Sequence, residues 1–483
     1  MFSTAMGFVL ALVLARQLGA AGSGVVLQVI AAFMIGLSVA RLGMDTTAVW
    51  IVPRLRTESP ALLRGACTGM VLSAGTAGVL GAAAWWSVSA LVEGEGSSRS
   101  AVVHLVDAVA WALPLGSVML VALAATRGFG GVLPFNLVGN VAVPGSRPLA
   151  VWLVTALGGS ALAAALAWVA PLVPAVLVSL LVLARQVSRF ERGFGVHGRL
   201  LPTWALQRRL LGFALPRTLS SALEQSIIWF DVVLVGILVG SASAGIYGAA
   251  SRFVGAGVIV LTALRIVVAP RFSAYLAERR HGEVQQLYVV TASWILLFGG
   301  PVYVLLAFFS PTVLSWLGPD FSEGVPSMVV LCLGALCLLA GGNIQSLLLM
   351  SGRSGWGAVN KLVVFVANVT GNLLLLPQIG LVGAALTWAA CMALDTMLAV
   401  AQVYRFTGIR PALGRIAGIL SVVGVCAAVP SGLMLLLLGN TGPALVAATV
   451  QTGLLVLAYC YVDRRRLHMG ELLALLPAGR RAG

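Results

Sequence analysis

The chain is a succession of apolar runs long enough to cross a membrane, separated by short polar breaks. Fourteen can be read, at approximately 2–16, 24–43, 65–89, 104–125, 133–157, 160–184, 215–239, 246–269, 287–309, 325–350, 360–377, 382–404, 416–438 and 443–462. A bilayer core of about 30 Å takes about 20 apolar residues as a helix. Hydrocarbon offers the backbone no hydrogen-bond partner, so each crossing must be helical. The predicted fold class is an all-α polytopic membrane protein with about 14 transmembrane helices. Composition agrees, since 60% of the 483 residues are apolar and only 9% charged, with a mean hydropathy of +1.02. The first run is short: Phe2–Ala15 would rise about 21 Å. It lacks the basic start of a cleavable signal, and reads as a thin tilted helix or as the continuation of residues upstream of Met1.

The net charge of +15, from 30 basic and 15 acidic residues, would suggest a nucleic-acid partner in a soluble protein. Here the arginines lie between spans, and no nucleic acid is expected. Loops on one side hold twenty-four basic residues, from Arg54 to Arg481; loops on the other hold Arg16 and Arg99. The positive-inside rule assigns the rich side, with both termini, to the cytoplasm, so the expected location is the inner membrane. The longest basic loop, Arg185–Pro216, is partly amphipathic and suits anionic membrane lipids. It divides the chain into an N-lobe at 1–185, a linker at 186–214, a C-lobe at 215–404, and two further spans with a basic tail at 405–483.

No catalytic or metal-binding framework is visible. The six cysteines lie in apolar runs without a CxxC pair, and the four histidines are scattered. There is no P-loop and no Gly-x-Ser-x-Gly. Neither an enzyme nor a cofactor is expected.

A repeat underlies the two halves. LGAAGSGVVLQVI (Leu18–Ile30) resembles VGSASAGIYGAAS (Val239–Ser251), with Gly19 and Gly24 matching Gly240 and Gly245. Pro53-Arg54 and Pro270-Arg271 close the second span of each copy. Parallel repeats of this kind place a substrate cavity between lobes at mid-membrane.

Charges within spans mark candidate binding residues, because a charge at depth costs several kcal/mol, about 2.5–3.5 on insertion scales. Asp231 and Arg252 fall about 12 and 10 Å below the turn at Gly240–Gly245, which predicts an ion pair or shared water site. Glu224 lies one heptad before Asp231, on the same face. Arg265, about 30 Å down, reads as snorkelling to headgroups. Arg41 and Asp45 are four apart, on one face near the inner mouth. Arg147 lies between Pro144 and Pro148, about 20 Å into its span. There the prolines should break the helix and leave an arginine suited to phosphate at mid-membrane.

Several stretches resemble one family. ARQLGAAGSG followed by a span ending RLGMDTTAVWIVPRL is similar to the first hairpin of bacterial polysaccharide (O-antigen type) flippases. FDVVLVGILVGSASAGIYGAASRFV is similar to their seventh and eighth spans. WLGPDFSEGVPSMVVLCLGAL and SGRSGWGAVNKLVVFVANVTGNLLLLPQIGLVGAAL match in order and spacing. The superfamily includes lipid II flippases and multidrug/toxin extrusion antiporters. The resemblance implies two six-helix lobes in a V plus two C-terminal helices. It implies flipping of an undecaprenyl-pyrophosphate-linked oligosaccharide from cytoplasmic to outer leaflet by alternating access, beside a polysaccharide polymerase and glycosyltransferases. It also puts Arg16 at the arginine of the Ala-Arg-x-Leu-Gly motif, Asp231 at the acid of the seventh span and Arg252 at the basic residue of the eighth. The alternatives are a lipid II flippase and a cation-coupled small-molecule antiporter. The antiporter favours a carboxylate in the N-lobe cavity, where the first, third, fifth and sixth spans have none.

Overall fold

A computed structural model describes residues 2–93, 101–410, 413–464 and 467. Arg99, Arg465, Arg466, Arg480 and Arg481, counted above as loop charges, lie outside the described residues. The described residues are helical and contain no strand. The chain packs as two compact units, Met1–Gly248 and Ala249–Gly483.

In the first unit the helices are α1 (Phe2–Ala40), α2 (Met44–Glu58), α3 (Leu63–Glu93), α4 (Ala101–Ala110), α5 (Leu113–Gly128), α6 (Val143–Ala156), α7 (Ala161–Val169), α8 (Leu172–Phe194) and α9 (Trp204–Leu238). Helix α10 (Ser241–Ala277) crosses the boundary. The second unit holds α11 (His281–Phe308), α12 (Ser310–Ser315), α13 (Val325–Ala340), α14 (Ile344–Met350), α15 (Ser354–Ile379), α16 (Leu381–Thr407), α17 (Leu413–Leu438) and α18 (Gly442–Val462).

Among the described residues, eleven helices are long and apolar enough to span a membrane, or thirteen if two bent pairs each count once. The pairs bend by 52° between α4 and α5 and by 47° within α10 at Gly255–Gly257. The first of the eleven contains a kink at Gly19, where φ 66 and ψ −173 are not helical. Divided there, it supplies the first two of the fourteen predicted spans. The polar loop expected between them is compressed to that one residue, because glycine adopts positive φ without a Cβ clash.

Two parts read as loops are helical. The stretch after the second span folds as α2, whose apolar face (Met44, Ile51, Leu55) joins a core with Leu63 and Met70 of α3, Val121 of α5, Leu183 of α8 and Leu210 of α9. The basic linker is consumed from both ends. Helix α8 stops at Gly195, at φ 64, and α9 starts at Thr203, whose hydroxyl accepts a hydrogen bond from the Leu206 N–H. Apolar residues on the linker side of α9, such as Leu206 and Leu210, bury in that core and so extend the helix well beyond its spanning part. Glu191 ties this end down, pairing with Arg64 and accepting the Gly198 N–H at 3.1 Å.

The second unit has its own core, made of Val268 and Phe272 of α10, Val284 and Tyr288 of α11, Ile344 and Leu347 of α14, and Ala399 and Val403 of α16. The Leu467 carbonyl accepts a hydrogen bond from the Trp294 indole of α11 at 2.8 Å.

Candidate functional site

In the first unit, α1 packs along α9, and the repeat glycines seat it against the start of α10. Gly19 (φ 66) and Gly240 (φ 131) make the turns. Gly24 and Gly245 make the crossing. A Cβ on Gly24 would overlap the Ser241 carbonyl oxygen and stand 2.7 Å from the Gly245 nitrogen. One on Gly245 would overlap the Ala20 carbonyl oxygen and stand 2.9 Å from the Gly24 nitrogen. Small residues at a helix crossing let backbones approach to this distance. One turn further along α1, Gln28 is 2% exposed and its side chain lies on Gly236. Its Nε2 donates to the Gly24 carbonyl at 3.2 Å.

Polar groups continue along this packing. Asp231, 3% exposed, accepts a hydrogen bond from the Tyr247 hydroxyl at 3.3 Å. About 15 Å further along α9, at 1.5 Å per residue, lies Ser221. It accepts a hydrogen bond from Arg41 Nη2 at 3.1 Å, while Arg41 Nη1 meets Asp45 Oδ2 at 3.0 Å. The predicted Arg41–Asp45 pair exists, but not on one helical face. Helix α1 ends at Ala40, and the chain turns through Leu42 (φ 49) and Gly43 (φ 61) before α2 begins. A Cβ on Gly43 would come within 2.5 Å of the Ala214 carbonyl oxygen, so glycine is required there by both φ and space. The tight turn returns Asp45 to Arg41 and aims the arginine at α9.

The remaining predicted residues are dispersed. Glu224 is exposed on α9, without a hydrogen bond or ion pair among the described residues, whereas Asp231 one heptad on is buried. Arg16 is exposed near the Gly19 kink. Arg252 is part-buried on α10 and belongs to the second unit. Arg265 is not held by snorkelling alone, since its Nε donates to Ser346 at 2.8 Å.

Arg147 departs from expectation in its backbone. The helix is not broken at Pro144 and Pro148. A π-helical segment, Phe135–Ala142, runs directly into α6, with the Val143 N–H bonding five residues back to the Val138 carbonyl. Proline lacks the donor a helix interior needs, and wider winding upstream absorbs the mismatch without opening the helix. The side chain is clamped from α7. Arg147 Nε donates to the Trp168 carbonyl at 3.2 Å, and its guanidinium carbon stands 4.0 Å over the Trp168 ring. Both terminal nitrogens are without a hydrogen-bond partner among the described residues. A guanidinium so oriented can take two oxygens of one phosphate side by side.

Sequence reading missed a buried ion pair in the second unit. Lys361, counted there as a loop cation, lies in α15, and its Nζ is 2.6 Å from Asp395 Oδ2 on α16. Gln345 donates to the same carboxylate oxygen, and Asn360 and Gln402 exchange hydrogen bonds at 2.8 and 2.7 Å beside it. An acid inside the twelfth span was the available signal, since intramembrane carboxylates seek partners.

Three comparisons bear on this arrangement. Residues 146–326 match the family model described as polysaccharide biosynthesis protein. Over 216 residues the chain is 24% identical to the probable low-salt glycan biosynthesis flippase Agl15 of Haloferax volcanii, covering 43% of this chain and 44% of that one. The match thus spans less than half of the curated relative's length. The fold is similar to lipid II flippase MurJ in its inward closed conformation, with TM-score 0.74 and 12% identity over 96% of this chain and 98% of that chain. It is also similar to a multidrug resistance MATE family transporter in an inward-facing conformation, at TM-score 0.66 and 14% identity over 86% and 95% of the two chains. A MOP superfamily transporter from Pyrococcus furiosus follows at TM-score 0.56 and 15% identity, over 87% and 97%. The chain has the MurJ/MATE-like all-helical fold, and the resemblance drawn from its hairpins agrees with the family-model match.

Proposed function

We propose that this multi-pass membrane protein is a transporter, not an enzyme, and flips a lipid-linked oligosaccharide across the membrane by alternating access. The observation that carries the reading is Arg147, held by Trp168 with its two terminal nitrogens open, in a span where the family-model match begins. Its substrate would be an undecaprenyl-pyrophosphate-linked sugar chain moved from the cytoplasmic to the outer leaflet of the inner membrane, with both termini in the cytoplasm. Arg147 receives the pyrophosphate while the lipid tail stays in the bilayer, and Arg252 is a further phosphate-binding candidate in the second unit. Asp231 and Glu224 balance the arginines or take a coupling cation. Arg41, Asp45 and Arg16 line the route. Glycosyltransferases would supply the substrate and a polymerase would consume it.

The test is complementation of a flippase-deficient host, with surface polysaccharide as the readout. Losing charged hydrogen bonds worth about 1.5–3 kcal/mol should lower export by Arg147→Ala roughly tenfold or more, while Arg147→Lys keeps part of it. Normal export by a normally inserted Arg147→Ala protein removes Arg147 from the mechanism. A cation-coupled antiporter is the second reading, supported by the likeness to MATE transporters and by the buried Asp231 and Asp395. It expects efflux of cationic dyes from cells expressing this chain, and efflux that depends on Asp231 would displace the flippase reading.

A further inference from the structure

A groove in the second unit lies apart from every residue assigned above. It encloses about 710 Å³ between α11, α13, α16 and α17, within the roughly 300–1,000 Å³ usual for small-molecule sites. Its walls are mostly apolar, from Cys337, Met397, Val400, Ala401 and Ile416, and it contains no acidic side chain. Along α16 it runs from Thr396 to Tyr404, about 12 Å at 1.5 Å per residue. That is close to the depth of one leaflet of a core about 30 Å thick.

The groove ends at a cation. Arg410 lines it on the arginine-rich side of the chain, exposed, with its guanidinium carbon 5.8 Å from the Tyr404 ring. The backbone at this point is fixed by α11: Gln285 Oε1 accepts the Arg410 N–H at 2.8 Å, and Gln285 Nε2 donates to the Arg410 carbonyl at 2.6 Å. No carboxylate among the described residues pairs with the guanidinium. The result is an apolar slot one leaflet deep, with a positioned positive charge at its headgroup end.

We infer that this groove binds an anionic phospholipid of the arginine-rich leaflet, one acyl chain along α16 and its phosphate at Arg410. Basic pockets between helices on the cytoplasmic side are where anionic headgroups bind. The groove's length matches an acyl chain that ends within its own leaflet, whereas a polyprenyl tail is several times longer. Bound there, the lipid would join α17 to α13 and α16.

Cys337 supplies the readout, because it lines the groove and is the exposed one of the six cysteines. The full-length protein is placed in nanodiscs of phosphatidylcholine, alone or mixed with phosphatidylglycerol, and its alkylation by a maleimide is timed. One basic residue facing an anionic headgroup should slow alkylation about fivefold more in the mixed discs. Arg410→Gln should abolish that difference and Arg410→Lys should keep most of it, while Ala401→Phe, which narrows the slot, should weaken protection by either lipid. Equal rates in the two disc types, or a difference that survives Arg410→Gln, would overturn the assignment. Stronger protection by added undecaprenyl phosphate than by phosphatidylglycerol would overturn it too, by giving the slot to a polyprenyl tail.

Discussion

Replacing Lys361 with alanine should destabilise the protein through the carboxylate it leaves behind. Asp395 is 3% exposed and Lys361 25%, and their charged atoms stand 2.6 Å apart. Breaking a buried pair by removing one partner costs about 3–5 kcal/mol, because the other charge stays desolvated and unpaired. Gln345 still donates to Asp395 Oδ2 after the substitution, so the lower end, about 3 kcal/mol, is the expected loss. Asp395→Asn should cost less, roughly 1–2 kcal/mol, because the surviving lysine can extend its amine toward solvent. The double variant Lys361→Met/Asp395→Leu leaves no charge to bury and should lie within about 1 kcal/mol of the parent. Unfolding followed by tryptophan fluorescence in one detergent ranks the three. If Lys361→Ala proved as stable as the double variant, Asp395 would not depend on its lysine, and the account of this site would fail.

Other expectations follow from the same geometry. Gly24→Ala and Gly245→Ala should each lower stability by about 1–3 kcal/mol, since each Cβ meets backbone and not a flexible side chain. The double variant should fall short of their sum because both open one contact, while Gly432→Ala, with open space around it, should be neutral or stabilising in the same melts. Arg41→Lys cannot reach Asp45 and Ser221 together, and should cost about 1–2 kcal/mol by the same measurement. Trp168→Leu keeps an apolar residue but removes the ring under Arg147; it should weaken export in the complementation assay, though less than Arg147→Ala. Arg280 is exposed, and hydrogen bonds to Glu278 and then Glu283 raise its pKa above the ordinary arginine value. It is cationic at every accessible pH, so Glu278→Gln with Glu283→Gln should leave melting unchanged at high salt, where exposed pairs are screened.

Much of the fold is legible in the sequence because the solvent dictates it locally. An apolar run of about 20 residues without charge has one outcome in a bilayer, so the helical class and the approximate set of spans follow from run length and arginine placement. The repeat also reads directly: Gly19 and Gly240 mark the turns, and the second glycine of each copy marks a close approach. What these local signals omit is how far helices continue outside the membrane. Helix α2 and the first turns of α9 form because their apolar faces meet each other in a core, and no window centred on either segment contains its partner.

The candidate residues divide the same way. The sequence by itself marked Arg41, Asp45, Arg147 and Asp231, because a charge in an apolar run is conspicuous and expensive. Tertiary structure alone decided their partners: Ser221 for Arg41, Tyr247 for Asp231, Trp168 for Arg147 and Asp395 for Lys361. Which side chains meet depends on the rotation and register of helices packed from distant parts of the chain. That register is set here by contacts such as Gly24 on Gly245, whose closeness comes from two missing Cβ atoms separated by more than two hundred residues.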